Sequence, residues 1–155
     1  MKTNTIFYSI IASFLGVGYF PIAPATVASG ILCIIIWFFL RSTFIYIGTL
    51  IILFPISVWV STKAEKYWGK DSRKIVIDEV IGMLITLLFI PRTILFFGTG
   101  FILFRFFDIV KPFPIGHLQD FSKGWGVVMD DVIAGMYSGI ILWIIVYFYY
   151  FFMIH

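Results

Sequence analysis

The chain has 155 residues, 61% hydrophobic and 12% charged, with 11 Lys and Arg against 8 Asp and Glu for a net charge of +3. A soluble domain carries roughly 45–50% apolar and about 25% charged residues. The composition, with the single cysteine Cys33, therefore excludes a disordered chain, a disulfide scaffold and an ordinary soluble globule. The length suits one domain over residues 1–155, and its apolar surplus exceeds what one core of that size could hide, which predicts an all-α, multi-pass helical membrane bundle.

The first apolar run, residues 6–15, is too short to cross a bilayer and reads as an interfacial or re-entrant helix. A cleavable signal peptide competes, with Lys2 as its basic start and Ala23-Pro24-Ala25 as a nominal cleavage site. Pro21 and Pro24 and the span that follows directly argue against it. Between residues 16 and 26 the segment Gly16-Val-Gly-Tyr-Phe-Pro21 supplies free backbone N–H groups, and a helix start follows at Ala23-Pro24-Ala25-Thr26. Helix N-termini attract anions, so Gly18 and Thr26 are candidate phosphate-binding positions. A simple re-entrant turn explains the Gly-x-Gly equally well.

Five further runs follow, at residues 26–40, 44–60, 75–90, 94–107 and 132–154, giving about five spans. Cys33 falls in the first of these and packs as a small apolar residue. The 17 residues of 44–60 would cover about 26 Å as a helix, nearly a bilayer core. Shorter runs need tilt, thinning or flanking residues to span.

Orientation follows from the cations. Lys2, the segment 61–74 (Lys63, Lys66, Lys70, Arg73, Lys74) and the segment 105–131 (Arg105, Lys111, Lys123) put nine on one side, and the turns at Arg41 and Arg92 put two on the other. The nine-residue side is cytoplasmic by the positive-inside rule. The basic excess is thus a membrane signature and not a nucleic-acid footprint, since no basic face with interleaved aromatics occurs. All eight acids, Asp71, Asp120 and Glu65 among them, gather on the cytoplasmic side and predict a catalytic or binding surface there.

Two segments echo each other: Asp78-Glu79-Val80-Ile81-Gly82-Met83 and Asp130-Asp131-Val132-Ile133-Ala134-Gly135-Met136. Each sets adjacent carboxylates at the start of an apolar helix, with a glycine three or four residues after the second acid, on the same helix face. Capping explains one acid per helix, but neighbours point about 100° apart and one of each pair must face inward. A charge in the bilayer costs some 2.5–3.5 kcal/mol or more. Four converging carboxylates, Asp78, Glu79, Asp130 and Asp131, would repel one another without a cation. Oxygen ligands with no cysteine and only His117 in a loop suit Mg²⁺ or Mn²⁺, and magnesium favours sites shared with a phosphate. Arg105, Asp108 and Lys111 recur at i, i+3 and i+6 before Pro112 and Pro114. Arg105 and Lys111 can serve as phosphate donors, or the three can form a ladder of surface ion pairs.

Four segments in order, Gly16-Val-Gly-Tyr-Phe-Pro-Ile-Ala-Pro-Ala-Thr26, Ile77-Asp-Glu-Val-Ile-Gly82, Phe104-Arg-Phe-Phe-Asp-Ile-Val-Lys-Pro112 and Gly126-Val-Val-Met-Asp-Asp-Val-Ile-Ala-Gly135, resemble the phosphatidylglycerophosphatase A family. The resemblance implies Mg²⁺-dependent hydrolysis of phosphatidylglycerophosphate to phosphatidylglycerol and phosphate, at the cytoplasmic side of a bacterial inner membrane. It makes Asp78, Glu79, Asp130 and Asp131 the metal and catalytic acids, with Asp108 and Lys111 close by. One departure is Ala25, where the family usually has glycine. If that position needs φ > 0 or close phosphate approach, alanine would weaken the site.

Other enzyme classes leave no signature: the paired histidines of PAP2-type phosphatases, the Asp-x-Asp of haloacid-dehalogenase enzymes and the spaced aspartates of CDP-alcohol phosphatidyltransferases are all missing. A reading from another class is a small ion-binding membrane protein or transporter subunit. Transport favours acids at the bilayer midplane, whereas these lie within about two turns of the cytoplasmic end.

Overall fold

The structure is a computed structural model that describes residues 2–70, 72–113, 115 and 124–154. Readings that fell on Asp71, Pro114, His117, Asp120, Lys123 and His155 lie outside the described residues. Six α-helices and no strand occur among the described residues: α1 (Lys2–Ala12), α2 (Pro24–Phe38), α3 (Thr43–Trp68), α4 (Ile77–Thr86), α5 (Ile94–Val110) and α6 (Gly124–Ile154). A single 3₁₀ turn, Val17–Tyr19, links α1 to α2.

Helix ends and apolar run ends part company in three places. The apolar run 44–60 continues as helix to Trp68, because Ser61-Thr-Lys-Ala-Glu-Lys66 is polar yet built largely of good helix formers. Apolarity there marks where lipid would end, and the helix carries on until Gly69, at φ 88°, stops it. α6 begins eight residues before the apolar run 132–154, so Asp130 and Asp131 sit two turns inside a helix and not at its start. Capping therefore cannot account for them.

The third difference is α4. The run 75–90 yields a helix of ten residues, about 15 Å long, with nine of the ten buried. Its apolarity reflects burial among protein neighbours, since α6, α2, α3 and α5 all pack on it. By length and composition two helices among the described residues, α3 and α6, are long and apolar enough to cross a membrane, with α3 at a mean hydropathy of 2.1 over its apolar stretch.

Close backbone approach fixes α4 against α6. A Cβ on Gly135 would collide with the backbone of Gly82, and one on Gly82 would collide with the Phe104 ring and with the Asp131 carbonyl. Thr86 Oγ1 donates to the Gly82 carbonyl at 2.9 Å and also lies 3.4 Å from the Gly135 carbonyl. Tyr46 of α3 donates to the Leu84 carbonyl at 2.7 Å, tying the other end of α4.

The far end of the bundle carries Arg41 and Arg92. Arg92 Nη1 donates to the carbonyls of Ile36 and Trp37 in the last turn of α2, each at 2.9 Å, and Nη2 to that of Leu40 just beyond the helix. Arg41 lines a small cavity beside it. Outward faces are apolar, with Phe44, Ile94, Ile109 and Phe152 all largely exposed, while Ser57, Ser61, Thr86, Ser138 and the carboxylates of Asp78, Glu79, Asp130 and Asp131 lie buried.

Candidate active site

At the opposite end from Arg92, a cavity of about 680 Å³ opens among the start of α2, the loop before α4, the start of α4, the end of α5 and the second turn of α6. Asp78, Glu79, Asp108, Lys111, Asp130 and Asp131 all stand in its wall. Segments far apart in sequence meet because the glycine crossing of α4 and α6 brings their acidic turns together.

Asp78, Glu79 and Asp131 converge so that one oxygen from each lies within 4.8 Å of the others. All three are at most 8% exposed. Asp78 Oδ1, Glu79 Oε2 and Asp131 Oδ2 are buried and have no hydrogen-bond partner. Buried polar oxygens without partners are uncommon in native proteins, and three like charges this close repel unless something positive joins them. The donors are hard carboxylate oxygens, the chemistry of a Mg²⁺ or Mn²⁺ site. The residues present fit a divalent cation.

Asp130 takes a different part. Its Oδ2 accepts from Lys111 Nζ at 2.6 Å and its Oδ1 from the Asp131 backbone N–H at 3.1 Å. It stands in the cavity wall but outside the converging trio. Lys111 holds its backbone at φ 45°, ψ 58°, left-handed, as the C-cap of α5. That position usually goes to glycine, and the turn brings the lysine to α6. Burial alone would lower the Lys111 amine, but the hydrogen bond and charge of Asp130, with Asp108 and Asp131, outweigh it and hold it above its ordinary value.

The expected ladder of Arg105, Asp108 and Lys111 is divided. Arg105 Nη2 pairs with Asp108 Oδ2 at 3.0 Å, the local i, i+3 pair, while Lys111 reaches across to α6. Arg105 is absent from the cavity wall, and its Nε and Nη1 are buried without partners. Its contact places it behind Asp108, holding that carboxylate.

The two positions from the first loop also differ. Gly18 lines the cavity, and a Cβ there would collide with the Lys74 carbonyl, so its place in the fold is a close backbone approach to the loop before α4. Thr26 is half-buried in the first turn of α2 and outside the wall, whereas Ala23, Pro24 and Ala25 lie in it. The positive φ falls at Ala23, 48°, and Ala25 is helical. The departure at Ala25 thus meets no backbone strain.

Arg73 is a wall residue that the sequence reading used only as a topological charge. It is exposed and forms no ion pair among the described residues. The neighbouring Lys74 ammonium sits 5.4 Å from the Tyr19 ring centre and 5.8 Å from that of Trp68, and the Val76 N–H donates to the Ala12 carbonyl at 2.9 Å. These contacts hold the loop so that Arg73 borders the cavity. Its place five residues before Asp78 in a basic loop was the available signal.

Comparison with known proteins adds to this geometry. The phosphatidylglycerophosphatase A family matches residues 10–146. A Bacteroides thetaiotaomicron protein provisionally named a phosphatidylinositol-3-phosphatase is 39% identical over 152 residues, covering 92% of this chain and 95% of that one. The Escherichia coli (strain K12) phosphatidylglycerophosphatase A is 32% identical over 143 residues, covering 89% and 83%. The Haemophilus influenzae phosphatidylglycerophosphatase A is 42% identical over 79 residues, about half of each chain. No solved structure matches.

Proposed function

The chain belongs to the phosphatidylglycerophosphatase A family and is a phosphatase, and from that premise we propose that it is a divalent-metal-dependent lipid phosphomonoesterase that converts phosphatidylglycerophosphate to phosphatidylglycerol and phosphate. The observation that carries the reading is the trio Asp78, Glu79 and Asp131, whose buried, partnerless oxygens converge in the wall of a cavity that Arg73 and Lys111 also line. These three hold the cation in the proposal, with Asp130 and Asp108 as flanking acids. Mg²⁺, or Mn²⁺, bound there supplies positive charge among the carboxylates and Lewis acidity toward a phosphoryl oxygen.

The chain's own groups bind and orient the phosphate. Arg73, exposed at the rim and with no ion pair among the described residues, is the most available cation, and its planar fork suits two phosphate oxygens. Lys111 adds a point charge while remaining anchored to Asp130. The first-turn N–H groups of α2, those of Ala25 and Thr26 included, have no partner within the helix and border the cavity through Ala25. Arg105 positions Asp108.

The same reading places residues 1–155 in the bacterial inner membrane as a single domain of about five crossings, with α1 at the interface and the acidic cavity on the cytoplasmic side. The grouping of Arg41 and Arg92 at the end away from the acids supports the nine-to-two partition of cations. A ten-residue α4 can cross only as part of a protein-lined path, and its near-complete burial is in keeping with that.

The relative from Bacteroides favours a second reading, a phosphoinositide phosphate ester as substrate. Both candidates present a phosphate monoester on an anionic glycerophospholipid, so the same cavity serves either. Phosphate release by the purified protein from phosphatidylglycerophosphate and from phosphatidylinositol 3-phosphate, in Mg²⁺ and then EDTA, separates them. Turnover of the first, lost in EDTA and restored by Mg²⁺, is expected. Turnover of the inositide alone would select the second reading, and full turnover in EDTA would overturn the metal site.

A further inference from the structure

α2 and α5 pack against each other, and their seam carries two openings. Ala25 of α2 and Asp108 and Ile109 of α5 belong to the acidic cavity. Farther along the same seam, Gly30, Cys33 and Trp37 of α2 and Phe97, Gly98 and Phe101 of α5 line a groove of about 460 Å³ with no charged residue in its wall. Five residues separate Ala25 from Gly30 and seven separate Phe101 from Asp108, about 7–10 Å along either helix. The groove opens toward the outer apolar surface beside Ile34 and Ile94, both exposed.

The glycines of this groove differ from those at the α4–α6 crossing. A Cβ on Gly98 would meet nothing within 4 Å, and one on Gly30 would meet only the edge of the Phe101 ring at 3.9 Å. Neither has a positive φ. Glycine in a helix interior costs roughly 0.5–1 kcal/mol relative to alanine, and here it gains no closer packing in return. What the missing side chains leave open is the groove.

We propose that this groove seats an acyl chain of the lipid whose phosphate occupies the acidic cavity. The proposal rests on the reading of that cavity as a lipid phosphomonoesterase site. An amphiphile with charge at one end and hydrocarbon at the other matches the order along the seam: cations and carboxylates first, then a charge-free trough open to the membrane side. Its volume lies within the roughly 300–1,000 Å³ of small-molecule pockets.

Filling the trough tests it. Gly98→Leu, with Gly98→Ala as the smaller step, is assayed on dioleoyl phosphatidylglycerophosphate and on its deacylated, water-soluble counterpart. The expected result for Gly98→Leu is a KM for the dioleoyl lipid raised roughly tenfold or more, with kcat/KM for the deacylated ester within about twofold of the parent. Equal loss on both esters, or no loss on either, would overturn the groove while leaving the cavity reading intact. A parent protein that hydrolyses neither ester would overturn the cavity reading itself. Should Gly98→Leu fail to fold, the unsubstituted protein gives the answer with a phosphatidylglycerophosphate carrying a diazirine in mid-chain. Adducts on residues 30–37 and 97–101, displaced by dioleoyl lipid, are expected. Adducts spread over α3 and α6 would mean ordinary boundary lipid and overturn the seat.

Discussion

The motifs Asp78-Glu79-Val80-Ile81-Gly82 and Asp130-Asp131-Val132-Ile133-Ala134-Gly135 are near copies in sequence, yet the fold uses them differently. In α4 the acids occupy the first turn of a ten-residue buried helix, and both reach the converging trio. In α6 they sit two turns into a long helix, and they divide: Asp131 joins the trio, and Asp130 takes Lys111. The extra residue before Gly135 keeps its glycine opposite Gly82, so the two backbones touch at the crossing. In α6 neighbours pointing about 100° apart thus do two jobs, whereas in α4 both acids turn to the trio. The crossing decides which acid does which.

The largest effects should come from the trio. Glu79→Gln and Asp131→Asn each keep side-chain shape and remove a charge, and each should lower phosphate release by about a thousandfold or more, roughly 4 kcal/mol. In EDTA the folded protein should be unchanged or slightly more heat-stable, since repulsion among buried carboxylates falls. The rise in Tm on adding Mg²⁺ should vanish. Asp130→Asn sharpens the contrast: it should slow turnover by about ten- to a hundredfold yet keep the Mg²⁺-induced rise in Tm. If Asp130→Asn abolished that rise as Asp131→Asn does, the division of labour in α6 would be wrong.

A smaller effect is expected at the crossing itself. Gly135→Ala drives a methyl into the Gly82 backbone, which cannot turn aside, whereas Gly82→Ala first meets the Phe104 ring. Overpacking typically costs roughly 1–3 kcal/mol, and Gly135→Ala should stand at the upper end, measured as a loss of Tm. A Gly135→Ala protein as stable as the parent would show that the helices do not touch there. Thr86→Val should be smallest. It removes the hydroxyl shared by the Gly82 and Gly135 carbonyls, a loss of about 1 kcal/mol, with turnover little changed.

Sequence made the acids, Lys111 and the paired glycines legible, because adjacent carboxylates in an apolar context have few structural uses. It did not show that Asp130 and Lys111 pair, since the partners lie 19 residues apart on different helices. Nor did it reveal Arg73, whose charge looks the same whether it faces solvent or a cavity. Apolar runs and helix ends part where polarity and helicity diverge, at residues 61–68 and 124–131, and in α4 the run 75–90 is longer than the ten-residue helix within it. At the start of α2 the residues that line the cavity are Ala23, Pro24 and Ala25, with Thr26 just outside its wall, a one-residue difference that a helix start alone does not resolve.

The shortness of two helices has a consequence for the lipid around them. As straight rods, α2 with 15 residues and α5 with 17 are about 22 and 25 Å long, against a hydrocarbon core of about 30 Å. Arg92 closes the end of α2 by satisfying carbonyls of its last turn. Under the proposed topology the bilayer meets this mismatch by thinning beside the α2–α5 seam. Headgroups there would be drawn inward, toward the carboxylates. Hydrophobic thickness would then become part of the working environment of the site, since a thinner leaflet shortens the distance over which a phosphate must leave the interface.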